Sequence, residues 1–359
     1  MDFALSDEQQ ALQASVREVL ADRYPPERVA EIADSPGGFE SAGWAEVAEL
    51  GWASVAVPED AGGLGMGFVE EALILEELGH GLFPGPFLSS VTMALPALTP
   101  DSDLTQRVGS GKSAATVAWG DGDDDRAMEA ERDGDGWRLS GAATFVPDLG
   151  SADLVVAAAR TPDRPGLFAV ERDGDGSAWE ELPTVDSTRR MGRLELNDAA
   201  GRDLVVGDEA GSVAAATRRR ALAGLAAEAV GVASRALELG VQYAGEREQF
   251  GRKIGVYQAV SHRLADVYVA VENARSLAYW AAWAVEQDAD DAEGAAAAAK
   301  AAASEAAVAA CEAAIQVHGG LGFTWEHPLQ RFYKRALGTS AWLGWPAEHR
   351  ARIAATLLD

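Results

Sequence analysis

Apolar residues recur every three to four positions through the C-terminal part of the chain, which is the spacing of an amphipathic helix. A second long helix is predicted from about residue 292 to 317, in a run that is mostly alanine. At the N-terminus, Ser6 and Gln9 have the spacing of a capping box before another apolar stripe. Both ends of the chain are therefore predicted to be helical. The clearest stripe consists of Val260, Leu264, Val267, Val271, Ala274 and Ala278.

The middle of the chain has a different pattern. From Ala114 to about Val206, short β-type runs such as LVVAAA and RLELND alternate with Gly, Asp and Pro turns. This pattern predicts a small antiparallel β-domain. The α–β–α order lacks alternating strands and helices, so a Rossmann sheet is not expected. We predict three domains, at residues 1–113, 114–206 and 207–359.

Charge and composition narrow the range of partners. The 359 residues carry a formal net charge of −27, and such an acidic chain repels nucleic acid and anionic membranes. The single cysteine, Cys311, excludes an internal disulfide framework and a cysteine-rich zinc site, and no metal is expected. The sequence shows neither a charged-then-apolar leader nor a run of 18 apolar residues. We therefore expect a soluble cytoplasmic protein.

The segment REQFGRKIGVYQAVSHRLAD, at residues 247–266, combines groups that suit a nucleotide. Arg247 follows a predicted helix and offers a guanidinium fork that fits a pyrophosphate. Phe250 adds a flat apolar surface, and Gln258 a neutral donor and acceptor for a sugar or base. None of these residues identifies a nucleotide site when taken alone.

The segment QVHGGLGFTWE, at residues 316–326, places three glycines at the end of the alanine-rich helix. Gly319 and Gly320 would let a nucleotide lie directly on the backbone, because they carry no side chain. A glycine pair in this position is also a common helix cap, so the structural interpretation stays open beside the functional one.

Taken together in an α–β–α chain, these motifs closely resemble the acyl-CoA dehydrogenase family. The segments LGWASVAVPEDAGGLG, DSTRR and AVGVASRALELGVQYAGEREQFG agree, and the resemblance covers essentially the whole chain. It implies an α+β fold with an N-terminal helical domain, a middle antiparallel β-barrel-like domain and a C-terminal four-helix bundle. It also implies an FAD-dependent oxidoreductase that introduces an α,β double bond into an acyl-CoA thioester. A carboxylate removes the α-proton, and the flavin takes the hydride.

In that family, the Arg-x-x-Phe-Gly and Gln-x-x-Gly-Gly segments hold the pyrophosphate and adenosine of the FAD bound by the neighbouring subunit. His318 is expected to be a spacer and not a catalytic residue. Residues 218–220 form a basic cluster that meets CoA phosphates, with Arg220 as the substrate-binding candidate, or that only solvates a helix. The cofactor-binding residues implied by the resemblance are Arg247, Gln249, Phe250, Tyr257, Gln258, Gln316, Val317, His318, Gly319 and Gly320.

The catalytic carboxylate is missing from both places where the family keeps it. One follows the glycine segment in a stretch similar to Ile-Tyr-Glu-Gly-Thr; here that stretch is SAWLGWPAEH, and an ungapped count from RFYKRA gives Gly344. The other lies on the helix before Arg247, where an ungapped count from Phe250 gives Ala221, with Leu222 beside it. No catalytic residue is therefore expected in this chain.

The contacts to the flavin ring also depart from the family pattern. A Thr-Glu-Pro-x-x-Gly-Ser-Asp-like segment is usual in the middle domain, but this chain has WGDGDDDR at residues 119–126. Where the family has Trp-Ile-Thr/Ser-Asn, this chain has Phe145 for the ring-packing tryptophan and Pro147 for the hydroxyl residue. Proline cannot donate a hydrogen bond.

These losses predict the base-lacking subunit of a heteromeric enzyme, similar to the actinobacterial α2β2 assemblies that act on steroid side-chain CoA thioesters. Its partner would be a paralogous subunit that carries the catalytic Glu. One alternative is a homo-oligomeric dehydrogenase with a relocated base, for which Glu228 is the weak candidate. Another is a flavin monooxygenase-like member of the fold, and a third is a purely structural subunit. Glu326, Arg331 and Arg335 are interpreted as interface salt-bridge positions.

Overall fold

The computed structural model describes residues 5–120, 128–134 and 136–358. Most of the acidic segment that departs from the family pattern, residues 121–126, lies outside the described residues. The chain divides into two compact units. The helical unit comprises Met1–Glu31, Phe68–Phe83 and Leu222–Asp359, and the barrel unit comprises Ile32–Gly67 and Pro84–Ala221.

The helices that the hydrophobic pattern predicted at the N-terminus, over residues 260–278 and near residues 292–317 are present as α1, α8 and α9. The capping box is confirmed, because Ser6 Oγ accepts from the Gln9 amide at 3.1 Å and the Gln9 side chain accepts from the Ser6 amide at 3.0 Å. A π-helix, Leu88–Ala94, precedes α5 directly. The α-helices are α1 Asp7–Arg23, α2 Pro26–Asp34, α3 Ser41–Glu49, α4 Phe68–Gly81, α5 Leu95–Leu98, α6 Ser102–Gly109, α7 Asp208–Glu246, α8 Gln258–Glu286, α9 Ala292–His318, α10 Leu329–Ala341 and α11 Pro346–Leu358.

Helix α9 is the alanine-rich helix expected near residues 292–317, and its buried face packs against α8. Cys311 is fully buried there, and burial raises the pKa of its thiol. Lys300 is also fully buried, and its ammonium donates to the Thr339 carbonyl at 2.8 Å and to Ser304 Oγ at 3.1 Å. The lysine therefore ties α9 to the last turn of α10, where helix carbonyls lack intrahelical partners.

Helices α4 and α7 approach each other closely inside the helical unit. A Cβ atom built on Gly231 would lie 1.8 Å from the Glu76 carbonyl oxygen, and one on Gly79 would lie 2.1 Å from that of Glu228. Only glycine permits this backbone-to-backbone approach.

The barrel unit confirms the predicted β-domain. Strands β4, β5, β7, β3 and β2 pair in that order and return to β4, which closes a small barrel. Two pairings differ from a purely antiparallel domain. Strand β1 pairs with β4 in parallel, and β2 pairs with β4 in parallel through Glu129 and Arg160. Within the described residues, the strands of this sheet are β1 Ala115–Trp119, β2 Glu129–Asp133, β3 Gly136–Pro147, β4 Leu154–Arg160, β5 Pro165–Glu171, β6 Ser177–Leu182 and β7 Met191–Val206.

Candidate functional site

A two-stranded hairpin follows α7 and presents the first predicted nucleotide-binding segment. Its strands are β8 Glu248–Gln249 and β9 Arg252–Lys253. Arg247 joins helix to hairpin: its amide donates to the Tyr243 carbonyl, and its carbonyl accepts from the Ile254 amide, both at 2.8 Å. The turn consists of Phe250 and Gly251, with φ angles of +54° and +76°. Consecutive left-handed residues are typical of tight hairpin turns.

Phe250 combines two features that are unfavourable in an isolated chain. Its side chain is 92% exposed, and its φ lies in the left-handed region that costs a non-glycine residue about 1–2 kcal/mol. Such a residue at a loop tip points to a function outside the packing of its own chain. Arg247, Gln249 and Gln258 are exposed as well. Tyr257 is half-buried, and its hydroxyl donates to the Gln249 carbonyl at 3.2 Å.

The second segment begins where α9 ends at His318. Gly319 has a φ of +62°, and its amide closes the helix by donating to carbonyls of the last turn. A Cβ built on Gly319 or Gly320 would meet no atom within 4 Å, so the space over this backbone is open. Gln316 is exposed with the two glycines, Val317 is half-buried and His318 is buried.

A stack of three rings connects the two segments. The Tyr243 and His318 rings are stacked, with centroids 4.2 Å apart and planes at 23°, and the His327 ring lies 4.5 Å from His318. His318 Nδ1 lies 2.8 Å from the Ala314 carbonyl, to which it donates. Burial lowers the pKa of His327, and the nearby His318 lowers this pKa further. The Nδ1 atom of His327 accepts from the Leu329 amide at 3.3 Å. The ends of α7 and α9 therefore meet, and both predicted motifs leave from this junction.

We use the name tail-binding surface for the exposed residues Arg247, Gln249, Phe250, Gln316, Gly319 and Gly320. The surface offers a guanidinium for phosphate oxygens, an aromatic ring for a base and a backbone without side chains for close approach. These groups fit the pyrophosphate and adenosine half of FAD.

Neither of the two positions predicted from the sequence for the base carries a carboxylate. Ala221 is fully buried in α7. Gly344 has a φ of +115°, and a Cβ built on it would lie 3.1 Å from His349 Nε2 and 3.2 Å from Glu348 Oε2. Residues 342–345, which read Trp-Leu-Gly-Trp, contain no acid, and the next carboxylate along the chain is that of Glu348.

Glu228, the candidate for a relocated base, forms a buried ion pair within the chain. Its Oε1 accepts from the Arg335 guanidinium at 2.9 Å, and the two side chains are 5% and 2% exposed. Interpreting Arg335 as an interface position was wrong, because the arginine is buried against a carboxylate 107 residues away in the same chain. A carboxylate that is buried and already accepts from an arginine of its own chain is poorly placed to take a proton from a substrate.

The residues predicted at the flavin ring and the substrate lie in the barrel unit. Phe145 is 63% exposed with a φ of +58°, at an irregular register between β3 and β7. Pro147 pairs with Met191 in the same ladder and has no N–H to donate. Arg220 is half-buried and makes contacts within the chain.

Membrane spans and metal sites would leave recognisable features among the described residues. No helix there is both long enough and apolar enough to cross a bilayer. No group of three or more His, Cys, Asp or Glu side chains in the same residues is arranged to hold a metal ion.

The chain matches known proteins along nearly its full length. Models of the acyl-CoA dehydrogenase N-terminal and C-terminal domains match residues 6–100 and 214–358. Acyl-CoA dehydrogenase IpdE2 of Mycolicibacterium smegmatis is 31% identical over 98% of this chain and 99% of its own. The ChsE4-ChsE5 complex from Mycobacterium tuberculosis has a TM-score of 0.92 at 32% identity, covering 100% and 99% of the two chains. The Tcur3481-Tcur3483 steroid ACAD has a TM-score of 0.89 at 33% identity, covering 98% of each chain.

These matches confirm the resemblance drawn from the motifs and the three-part fold that it implied. They also support FAD as the cofactor.

Proposed function

The chain belongs to the acyl-CoA dehydrogenase family, and we propose that it is the base-lacking subunit of a heteromeric enzyme. In this proposal it forms an α2β2 complex with a paralogous subunit that carries the catalytic Glu. Its own contribution is the tail-binding surface, which holds the pyrophosphate and adenosine of the FAD whose ring lies on the partner.

The exposure of the tail-binding surface is the observation that carries the proposal. Phe250 stands 92% exposed on a strained turn, and the space over Gly319 and Gly320 is open. A large aromatic ring that is exposed on a strained turn adds nothing to the packing of its own chain, and such strain is typical of functional sites. Groups from another molecule are therefore expected to complete this surface.

The residues of this chain act by binding and orienting the cofactor. Arg247 offers two parallel N–H donors to pyrophosphate oxygens. This pairing would orient the nucleotide and also balance its negative charge. Gly319 and Gly320 would let the adenosine lie on the backbone, and Phe250 would offer its ring to the base. Bound FAD supplies the hydride acceptor for α,β-dehydrogenation.

In this proposal, the base that deprotonates the substrate belongs to the partner subunit. Ala221 and residues 342–345 hold no carboxylate, and the buried pairing of Glu228 with Arg335 argues against a relocated base. Phe145 and Pro147 also lack the hydrogen-bonding groups that the family places at the flavin ring. These features all support a division of labour between two unlike subunits.

The relatives support the choice of partner and substrate. Two of the similar structures are named as pairs of proteins, and one pair is described as a steroid acyl-CoA dehydrogenase. We accordingly propose an acyl-CoA thioester with a bulky, steroid-type acyl group as the substrate of the complex.

Expression with and without the partner tests this function. The chain purified alone is expected to bind little FAD and to show no flavin reduction with any acyl-CoA. Co-expression with a paralogous subunit that carries the Glu is expected to give a yellow complex with one FAD for each pair of unlike chains. A yellow homo-oligomer of this chain that an acyl-CoA reduces would refute the proposal. Oxygen consumption by that species would favour the monooxygenase alternative.

The hairpin tip gives a prediction in which stability and cofactor binding move in opposite directions. Phe250→Asn should raise the free energy of unfolding of the purified chain by about 0.5–1 kcal/mol, because asparagine adopts positive φ more readily. The same variant in the complex should retain less FAD, since the aromatic cover is lost. Urea denaturation and flavin absorbance measure the two effects. A variant that loses stability while keeping its full flavin content would contradict the role given to Phe250.

A further inference from the structure

The two segments of the tail-binding surface are far apart in sequence, so something must fix their separation. Arg247 follows α7 and Gly319 follows α9, with all of α8 between them. A nucleotide gripped at its pyrophosphate by one segment and at its adenosine by the other is sensitive to this distance. Small misplacements of binding groups have large effects on affinity and rate.

The ends of α7 and α9 are joined by a close backbone contact and by a ring stack. A Cβ built on Gly240 would lie 3.3 Å from Ala314 Cα, so the two helices nearly touch there. Approximately one turn later on each helix, the Tyr243 ring stacks on the His318 ring at 4.2 Å. The first contact sets how near the helices lie, and the second resists rotation and sliding of one helix against the other.

Both residues that carry the stacked rings are linked through the backbone to the proposed binding groups. The Arg247 amide donates to the Tyr243 carbonyl, so the two residues belong to the same turn. His318 directly precedes Gly319, and its ring is fixed by the bond from Nδ1 to the Ala314 carbonyl at 2.8 Å. Behind it lies His327, which accepts from the Leu329 amide at the start of α10. The glycine segment folds back on this turn, since a Cβ on Gly322 would lie 3.2 Å from His318 Cβ.

We propose that Tyr243 and His318 are a positioning pair that holds Arg247 and the Gly319–Gly320 backbone at the separation required by the adenosine half of FAD. This inference rests on the proposed function. It changes the role of His318 from a spacer in the motif to a buried support, and it adds Tyr243, which lies outside both motifs. Neither ring needs to touch the nucleotide, because each acts through its neighbour in the chain.

The test is a titration of the deflavinated complex with FAD and, separately, with FMN, which lacks the adenosine half. Tyr243→Leu and His318→Ala should each weaken FAD binding about three- to tenfold, the range expected for one aromatic pair. The double variant should have the same FAD affinity as the single variant with the larger loss, because either change removes the same ring contact. FMN binding should stay at the wild-type level in all three. Tyr243→Phe keeps the ring and should restore wild-type FAD affinity.

The controls separate this inference from the function on which it rests. If Arg247→Ala weakens FAD binding and the ring variants do not, the positioning pair is refuted and the proposed function survives. If Arg247→Ala also has no effect, or if no complex forms, the proposed function itself fails. Equal losses for FAD and FMN, or additive losses in the double variant, would show general damage to the protein and would overturn the inference.

Discussion

Gly231→Ala is expected to destabilise the chain by about 3 kcal/mol or more, at the upper end of the range for overpacked cores. The new methyl group would lie 1.8 Å from the Glu76 carbonyl oxygen and 2.7 Å from the His80 amide nitrogen. Both are backbone atoms of α4, so no side-chain rotation relieves the overlap and the two helices must separate. Urea denaturation of the purified chain measures the change in the free energy of unfolding.

Gly338→Ala is the matched control. Gly338 lies in α10, and a Cβ built on it would meet no atom within 4 Å. Alanine there should stabilise the chain by about 0.5–1 kcal/mol, because it lowers the entropy of the unfolded state and favours helix. If both variants unfolded at the same urea concentration, the close approach of α4 and α7 would be wrong.

Arg335→Leu should cost about 3–5 kcal/mol of stability, because it leaves the Glu228 carboxylate buried without its guanidinium. The double variant Glu228→Leu, Arg335→Leu should recover most of this loss. It removes both charges, so no charged group has to be desolvated when the chain folds. Unfolding free energies of the wild type, both single variants and the double variant give the coupling energy directly. A double variant as unstable as the sum of the two single variants would contradict the ion pair.

The same double variant also tests the relocated-base alternative. In the complex with the partner subunit, it should still reduce flavin with an acyl-CoA substrate, because Glu228 takes no part in the reaction. Complete loss of reduction in a folded, flavin-loaded complex would instead identify Glu228 as the base.

Local patterns in the sequence were enough to predict most of the fold. The stripe from Val260 to Ala278 identifies the buried side of α8 because helical periodicity depends only on nearby residues. The capping box and the Gly- and Asp-rich turns are local signals of the same kind.

Features that depend on tertiary contacts were missed. The sequence contains no sign that Glu228 meets Arg335, since the pairing is set by how α7 and α10 pack. Lys300 stands as a single charge in an alanine run, and its burial follows from the carbonyls that α10 brings to it. The parallel pairing of β1 with β4 likewise depends on barrel closure and not on the composition of either strand.

At the candidate site, too, the local features were predicted from the sequence and the tertiary contacts were not. Motif spacing located the hairpin and glycine segments, but nothing in either motif indicates the ring stack behind them. Tyr243 lies four residues before Arg247, which places both on one side of the helix end. That signal was available in the sequence. The identity of the ring it packs against, His318, depends on the crossing of α7 and α9.

The most direct test is the FAD content of the heteromeric complex when Arg247→Ala is introduced into this chain alone, with the partner subunit left unchanged. Arg352→Ala, which removes another exposed arginine of the helical unit, serves as the control. We expect the Arg247 variant to lose most of its FAD during gel filtration while the control keeps its full complement. Full retention of FAD by the Arg247 variant would contradict the claim that this chain holds the nucleotide tail of its partner's cofactor.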